Sequence, residues 1–432
     1  MKIVLIGAGS MSFGRGLIAD VLASQELEKL DGTLVLVDTS EENLNLMLRF
    51  ALALKEFHQR RINIEATTER KTGLAGANYV ITSGAAQRYH FWRQDFFLPL
   101  SFGFKHIYGE NGGPGAAFHT LRSLNLMVPI VKDMEEICPQ AWLLNFTNPE
   151  SRICLAIKEL TRIRAVGLCH GPAMTLTFLA RTLNLPEEMI DLTVGGINHF
   201  HWVMSLRHRK DGTDLYPLLR KKIEGDPKSL PPLTYLLFSS FGLLPFPADS
   251  HIGEYIPYAY QVCGPFSGLR MLERPLTDEK NSAVTARSNL EKAAAGDREM
   301  LRQLAVTTRE NAVSIIAGLK LNLKRRELSV NLPNENLAVS NLPAEAIVEV
   351  PAVVDGDGLH PEKVGPLPEP IAAYCRLQHT IQKLLVRAYA ERSKELLYQA
   401  LLLEPTVDDA DRCRQMMEEF FRLQAGYLPE MS

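Results

Sequence analysis

Short strand-like runs alternate with amphipathic segments through the first 190 residues of the chain. These runs are residues 2–6, 34–38, 62–67, 79–82, 142–145 and 165–168. Their length suits buried strands, and apolar residues recur at helical spacing between most of them. Strands that alternate with helices predict an α/β fold with a doubly wound parallel sheet of the Rossmann type.

The pattern changes beyond about residue 190. Residues 191–194 and 200–206 alternate like strands, whereas 283–295 and 371–402 have helical periodicity. The proline-rich stretch 230–249 and residues 331–370 are predicted to be ordered loops. We therefore predict two domains: a Rossmann-like domain over residues 1–190, and a mixed α+β catalytic domain over residues 191–432.

A glycine-rich segment, Gly7-Ala-Gly-Ser-Met-Ser-Phe-Gly14, directly follows the first strand and precedes a helical pattern. Glycines in such a turn let the backbone approach a pyrophosphate, which the free amides of the helix N-terminus then bind. Gly7, Gly9, Ser10 and Met11 are therefore candidate dinucleotide-binding residues. Ser12 stands where the last glycine of the usual GxGxxG pattern would be.

The second predicted strand ends in Asp38, which could accept hydrogen bonds from both ribose hydroxyls and would repel a 2′-phosphate. This favours NAD over NADP. In the alternative interpretation, Asp38 caps the helix that begins near Glu41. The order of strand, glycine loop, helix, strand and acid favours the nucleotide site.

Composition restricts the partners and the compartment. The chain has 432 residues, 46% hydrophobic and 22% charged, with a net charge of −3 and no long basic run. Neither nucleic acid nor an anionic membrane is an expected partner, and no window is apolar enough to span a bilayer. The six cysteines lack disulfide-framework spacing, which is typical of a reducing compartment and predicts a cytoplasmic protein.

A thiol and an imidazole are the candidate metal ligands. Cys169 follows the sixth strand-like run, and His199 lies 30 residues further on in Gly196-Ile-Asn-His199. Both side chains are good ligands for borderline divalent metals. The alternative for such a pair is a buried free cysteine and a hydrogen-bonded core histidine.

Several segments, in this order, resemble glycoside hydrolase family 4, the NAD- and divalent-metal-dependent glycosidases. The resemblance runs along nearly the whole chain. The segments are Gly7-Ala-Gly-Ser10, Glu110-Asn-Gly-Gly-Pro-Gly115, Asn145-Phe-Thr-Asn-Pro149, Cys169-His-Gly-Pro172, Gly196-Ile-Asn-His199, Asp249-Ser-His251, Asn331-Leu-Pro-Asn334 and Gly358-Leu-His-Pro361.

The resemblance implies an oxidative route to glycoside cleavage, which is an exception to two-carboxylate hydrolysis. In the family scheme, NAD⁺ takes hydride from carbon 3 of the sugar, a base removes the hydrogen on carbon 2, and the glycosidic oxygen is eliminated. Water then adds and the hydride returns. Cys169 and His199 correspond to the ligands of the metal, for which the family precedent is Mn²⁺.

The same resemblance suggests roles for other residues. Asp249 corresponds to the base of the members that act on non-phosphorylated sugars; the alternative is a loop or helix-cap aspartate. Asn148 resembles the asparagine that binds sugar hydroxyls, and His170 is the candidate for assisting the leaving oxygen. Glu110 and His251 are further candidates for substrate contact or support. The family is oligomeric, which implies a homodimer or homotetramer.

Gly171 bears on the substrate. Family members with glutamate or serine at this position resemble glucosidases or galactosidases, whereas glycine resembles the uronidases. A glutamate would repel a substrate carboxylate on carbon 6, and glycine leaves room for it. We therefore expect an α-uronidase, α-galacturonidase ahead of α-glucuronidase, that acts on small oligosaccharides. The candidate cations for the substrate carboxylate are Arg93, Lys320, Lys324, Arg325 and Arg326.

Three alternatives stay open. One is an α-glucosidase or α-galactosidase of the same family. The second is a lactate- or malate-type NAD-dependent dehydrogenase, although the chain lacks the Gly-Glu-His-Gly-like segment of those enzymes. The third is a non-catalytic NAD-binding protein.

Overall fold

A nine-stranded sheet forms the centre of the computed structural model, which describes residues 1–11, 13–264, 276–308 and 310–432. Ser12 lies outside the described residues. The strands of this sheet are β1 (Lys2–Ile6), β2 (Thr33–Val37), β3 (Asn63–Thr67), β4 (Tyr79–Thr82), β5 (Trp142–Asn145), β6 (Arg164–Gly167), β9 (Arg325–Pro333), β10 (Ile347–Asp355) and β11 (Gly358–Pro361). A separate antiparallel hairpin pairs β7 (Ile190–Ile197) with β8 (Phe200–His208).

Helices cover both faces of the sheet and the hairpin. Those of the first half are α1 (Phe13–Ala23), α2 (Gln25–Glu28), α3 (Glu41–Phe57), α4 (Arg70–Leu74), α5 (Arg88–Ser101), α6 (Pro114–Ile137), α7 (Glu150–Leu160) and α8 (Gly171–Leu183). Those of the second half are α9 (Tyr216–Gly225), α10 (Pro232–Phe241), α11 (Asp249–Ile252), α12 (Ala259–Cys263), α13 (Leu276–Ala294), α14 (Arg298–Leu304), α15 (Ala312–Leu321), α16 (Glu369–Glu391), α17 (Lys394–Leu403) and α18 (Ala410–Leu423).

The first six strands are parallel and lie in the order β3-β2-β1-β4-β5-β6. Alternate residues of a strand face opposite sides of the sheet. Val4 therefore packs in the apolar core on one face, whereas Ile3 and Leu5 pack in the core on the other. This architecture confirms the predicted doubly wound α/β fold, and its strand order is that of dinucleotide-binding sheets.

The second half of the chain extends the same sheet. β9 pairs antiparallel with β6 through Gly167 and Asn331, and β10 and β11 follow it outward. The predicted loop over residues 331–370 is therefore wrong for 331–333, 347–355 and 358–361, which are strands. Pro351 lies at the irregularity in the β9–β10 register, where a strand tolerates proline. The division of the chain at residue 190 stays a prediction.

Two other predictions for the second half need correction. The proline-rich stretch 230–249 contains α10, which begins at Pro232, because proline fits the first turn of a helix. The helical pattern over 371–402 is two helices, α16 and α17. They separate at Arg392, whose φ of 56° ends the first helix, and at Ser393, which caps the second. The predicted strands over 191–194 and 200–206 lie within β7 and β8.

Among the described helices, none combines the length and the apolar character that a bilayer crossing requires.

Candidate functional site

The glycine loop lies between the carboxyl ends of β1 and β4, where the order of the strands reverses and where such sheets bind nucleotides. Gly7 has a φ of 87°, and a Cβ atom there would lie 2.5 Å from the carbonyl oxygen of Ser83. Ser10 accepts a hydrogen bond from the Phe13 amide at the start of α1, and Met11 packs against the apolar core. The predicted loop residues are thus together at the switch point.

Asp38 lies across this loop at the end of β2. Its Oδ2 accepts the Gly9 amide at 2.8 Å and its Oδ1 accepts the Ser40 amide at 2.9 Å. The cap of α3 is Ser40, whose Oγ accepts the Asn43 amide. The capping role considered for Asp38 therefore belongs to Ser40, and the half-buried Asp38 carboxylate stands beside the glycine loop.

Cys169 lies in the turn between β6 and the N-terminus of α8. Burial raises the pKa of its thiol well above the usual value, and the buried carboxylate of Glu349 adds to this shift. The Gly171 amide, 3.4 Å from Sγ, and the side chain of Asn198 act in the opposite direction. The pKa of this thiol thus favours the protonated form, and a divalent cation would favour the thiolate.

His199 lies in the turn of the β7–β8 hairpin with a φ of 61°, an uncommon conformation for a residue other than glycine. Its Nδ1 is 3.0 Å from the Asn111 Nδ2 atom. Burial lowers the pKa of His199 to about 4, so the imidazole is neutral near pH 7. A neutral imidazole is the form that binds a metal ion.

Phe246 lies near both proposed ligands: a Cβ atom on Gly171 would be 3.6 Å from Cys169 Sγ and 3.6 Å from Phe246, and the ring centroids of His199 and Phe246 are 6.3 Å apart. That Cys169 and His199 bind one ion stays a prediction. A shielded thiol and a neutral imidazole fit a divalent ion of borderline softness. Within the described parts of the chain, no three His, Cys, Asp or Glu side chains cluster closely enough to hold a metal. An ion on Cys169 and His199 would therefore need further ligands from substrate or water.

His170 is exposed at the edge of this site. Its Nδ1 is 3.3 Å from Oε1 of Glu310, which comes from the segment between α14 and α15. The hydrogen bond to Glu310 raises the pKa of His170, and burial acts against it. The sequence did not indicate Glu310, since 140 residues separate the pair.

Glu110 and Asn148 also meet at the site. Oε1 of Glu110 is 3.4 Å from Nδ2 of Asn148 and 3.3 Å from Nη2 of Arg88, and Glu110 is only 8% exposed. The predicted Arg93 is half-buried further along α5. Arg88, which was not predicted from the sequence, is thus a cation in contact with the predicted substrate residue Glu110.

The other candidate cations are not near this group. Arg325 binds Glu26, with Nη1 3.0 Å from Oε2, and Arg326 binds Glu362, with Nε 2.8 Å from Oε1. Lys320 and Lys324 are exposed near the end of α15.

Asp249 faces away from the proposed metal ligands. Its carboxylate accepts hydrogen bonds from the Leu233 amide at 2.8 Å, the Thr234 amide at 2.8 Å, the Thr234 hydroxyl at 2.7 Å and the Cys263 thiol at 3.3 Å. The first three bonds cap the N-terminus of α10, as the alternative interpretation of this residue expects. Its assignment as the base stays a prediction, and these bonds would have to break for Asp249 to take a proton from substrate.

His251 faces the site instead. Its ring centroid is 4.5 Å from that of His199 and 5.5 Å from that of Tyr108. Residues two apart in a helix point in nearly opposite directions, because each turns by about 100°. α11 therefore directs Asp249 towards α10 and His251 towards His199. Burial lowers the pKa of His251 well below its usual value, so the ring is neutral.

A buried polar chain supports the turn at Cys169. Nδ1 of His201 is 2.9 Å from Oε2 of Glu349, and Nε2 of His201 is 2.9 Å from the Thr175 hydroxyl on α8. Asn331 donates to Oε1 of Glu349 at 3.4 Å. Asn331, the first residue of the Asn331-Leu-Pro-Asn334 motif, thus supports Glu349. At its other end, Asn334 bonds the backbone of the following turn.

The strand order, the glycine loop beside a carboxylate and the thiol–imidazole pair together define a dinucleotide-binding enzyme fold with a candidate metal centre. Its two parts match the family models for family 4 glycosyl hydrolase over residues 2–185 and for its C-terminal domain over residues 194–407. The chain belongs to glycosyl hydrolase family 4, which confirms the resemblance seen in the sequence. It is thus a glycosidase, and the dehydrogenase alternative is not favoured.

Three curated relatives cover nearly the whole chain. An alpha-glucosidase of Erwinia rhapontici is 30% identical over 96% of each chain, and an alpha-galactosidase of Bacillus subtilis (strain 168) is 30% identical over 99% of each. An alpha-galacturonidase of Bacillus subtilis (strain 168) is 27% identical and covers 98% of this chain and 97% of its own.

Among solved structures, a 6-phospho-alpha-glucosidase from gut microorganisms in complex with NAD and Mn²⁺ has the same fold. Its TM-score is 0.82 at 21% identity, and the alignment covers 100% of this chain and 99% of that one.

Proposed function

We propose that this protein hydrolyses α-linked uronides, galacturonides ahead of glucuronides, from small oligosaccharides with the help of NAD⁺ and Mn²⁺. The observation that carries the choice of substrate is the space at Gly171. A Cβ atom there would lie 3.6 Å from Cys169 Sγ, 3.6 Å from Phe246 and 3.3 Å from the His201 ring. A side chain would thus occupy the volume next to the proposed metal ligand, and glycine leaves it to substrate.

The residues near this volume suit an acidic sugar. Arg88 is a cation in contact with Glu110 and is 42% exposed in its side chain, so it is accessible to a second carboxylate. An arginine can bind such a group through two parallel hydrogen bonds. We therefore propose Arg88 for the carboxylate on carbon 6, in place of the cations suggested by the sequence. Asn148 and Glu110 would bind sugar hydroxyls.

The cofactors have fitting sites on the chain. Asp38 and the amides of the glycine loop would hold NAD⁺, and Cys169 and His199 would hold Mn²⁺. When bound, the nicotinamide supplies a hydride acceptor and the ion polarises the oxygens on carbons 2 and 3. The solved relative that contains both supports this part of the proposal.

The chain itself would move the protons. His170 is held by Glu310, which favours its protonated form and suits it to protonate the leaving oxygen. The His251 ring faces that of His199, whereas the Asp249 carboxylate is bound to α10. We propose that a residue of α11 removes the hydrogen on carbon 2 as a proton, and that this residue is His251.

The test compares the wild-type protein with Gly171→Glu against nitrophenyl α-glycosides and di-uronides, with NAD⁺, Mn²⁺ and a reductant present. The proposal expects wild-type cleavage of α-galacturonides, with a loss of about 100-fold in the variant from charge repulsion and occupied space. Wild-type cleavage of neutral α-glucosides with uronides untouched would contradict it.

A neutral-sugar enzyme is the second candidate function. The identity of 30% with an alpha-glucosidase and an alpha-galactosidase, against 27% with an alpha-galacturonidase, favours it. The same glycoside panel separates the two. A cytoplasmic location and a homodimer or homotetramer complete the proposal.

A further inference from the structure

The turn Glu110–Gly113 is held by two buried carboxylates through four consecutive backbone amides. Oε1 of Glu254 accepts the amides of Glu110 at 2.6 Å, Asn111 at 2.8 Å and Gly112 at 3.4 Å. Oε2 of Glu404 accepts the amide of Gly113 at 3.1 Å. Such a series of amides is a strong site for one anionic oxygen.

The glycine of this turn permits the close contact. A Cβ atom on Gly112 would lie 2.6 Å from the carbonyl oxygen of Glu254 and 2.9 Å from its Cβ atom. The glycine of the Glu110-Asn-Gly-Gly motif therefore leaves space for Glu254, which lies 142 residues further along the chain than Gly112.

The two carboxylates differ in what else they contact. Glu404 is paired with the buried Arg152, with 3.3 Å between Oε1 and Nη2. Oε2 of Glu254 has no hydrogen-bond partner among the described residues, and it lies 3.9 Å from Nδ1 of His199. Glu254 thus lies between the turn and a proposed metal ligand.

The turn contacts the same histidine through Asn111, whose side-chain amide is 3.0 Å from Nδ1 of His199. The oxygen and nitrogen of an amide exchange by a rotation of about 180°. The oxygen of Asn111 can therefore accept the Nδ1 proton of a neutral imidazole that binds an ion through Nε2.

We propose that Glu254 is a positioning residue for the metal centre: by binding the amides of Glu110 and Asn111, it holds the Asn111 side chain against His199 and so fixes the orientation of the imidazole. The inference rests on the proposed function, because it assumes that His199 is a metal ligand. It adds that the geometry of this ligand depends on a glutamate and an asparagine from two other segments. Partners of this kind typically change metal affinity about 10- to 100-fold.

The test measures Mn²⁺ binding by electron paramagnetic resonance and NAD⁺ binding by fluorescence, so that no turnover is needed. Glu254→Ala should weaken Mn²⁺ binding by about 10- to 100-fold and leave NAD⁺ binding within about threefold. Glu254→Gln keeps an oxygen for the amides and should stay within about threefold of the wild type. Glu327→Gln is the matched control, because it removes a buried carboxylate of β9 that accepts the Ser314 hydroxyl of α15.

Asn111 supplies a second, independent readout. Asn111→Asp keeps an acceptor for Nδ1 and should bind Mn²⁺, whereas Asn111→Leu should lose affinity as Glu254→Ala does. The losses of Glu254→Ala and Asn111→Leu should not add in the double variant, because both act through one contact. If Glu254→Ala does not fold, the two Asn111 variants decide the matter.

Wild-type Mn²⁺ affinity in Glu254→Ala and Asn111→Leu would overturn the inference while leaving the metal centre intact. The inference is also overturned if the losses of Mn²⁺ affinity in Glu254→Ala and Asn111→Leu add in the double variant. Equal losses of Mn²⁺ and NAD⁺ affinity in Glu254→Ala would overturn it too, because they would indicate a general structural role. Failure of the proposed function gives a different result: Cys169→Ser would then bind Mn²⁺ as well as the wild type, or the wild type would not bind it.

Discussion

Replacing Asp249 by asparagine separates its two interpretations, helix cap and catalytic base, in one variant. Asp249 is 9% exposed, and its carboxylate accepts three hydrogen bonds at the start of α10 and one from the Cys263 thiol. An asparagine that keeps its oxygen towards Thr234 turns its NH₂ group towards the Leu233 amide. Two donors then face each other in a buried place.

The expected loss of stability follows from this unpaired donor. A buried donor left without a partner costs about 1–3 kcal/mol, and hydrogen bonds to a charged group are stronger than those to a neutral one. We therefore expect Asp249→Asn to lower the free energy of unfolding by about 2–3 kcal/mol. Asp297→Asn is the matched control, because Asp297 caps α14 by accepting the amides of Glu299 and Met300 at the surface. Asparagine caps a helix about as well as aspartate, so this variant should unfold with almost the free energy of the wild type.

Two assays are needed: thermal unfolding followed by circular dichroism, and exchange of the hydrogen on carbon 2 of the sugar in D₂O. Our interpretation predicts that Asp249→Asn unfolds at a lower temperature yet retains exchange within about tenfold. His251→Asn should instead lose exchange by about 10²- to 10⁴-fold, the range for a missing general base. An Asp249→Asn protein of wild-type stability without exchange would refute this reasoning and make Asp249 the base.

Two further variants test the cofactor sites. Cys169→Ser should lose at least about 100-fold in Mn²⁺ affinity, because the hydroxyl is a poorer ligand than the thiolate. Titration by calorimetry should show unchanged NAD⁺ binding. Full activity in this variant would mean that Cys169 is not a ligand of the metal. Asp38→Ser should weaken NAD⁺ binding about tenfold, or about 1.4 kcal/mol, and improve NADP⁺ binding, because the carboxylate that repels a 2′-phosphate is gone. Unchanged preference between the two nucleotides would contradict the role of Asp38.

The sequence predicted the nucleotide half well because its signals are local. Each of the first six strands is one short run, and the glycine loop and Asp38 follow two of them directly. The strands within residues 331–370 were missed because each contains a proline, which is a local signal against a strand: Pro333 in β9, Pro351 in β10 and Pro361 in β11.

The same distinction applies to the site. Cys169 and His199 could be named from residue type and motif, and their binding of one ion stays a prediction. The helical phase of α11, which separates Asp249 from His251, has no signal in a segment of four residues. Arg88, Glu310 and Glu254 also escaped prediction, since their role depends on contacts between remote segments. The sequence signal for Glu254 is its position three residues after the Asp249-Ser-His251 motif.

The most direct measurement is an anomalous-scattering map from a crystal of the protein grown with Mn²⁺ and NAD⁺. We predict one strong peak bonded to both the sulfur of Cys169 and a ring nitrogen of His199, at about 2.0–2.5 Å. A peak bound to other side chains, or a thiol and an imidazole that point away from each other, would contradict the metal-assisted mechanism.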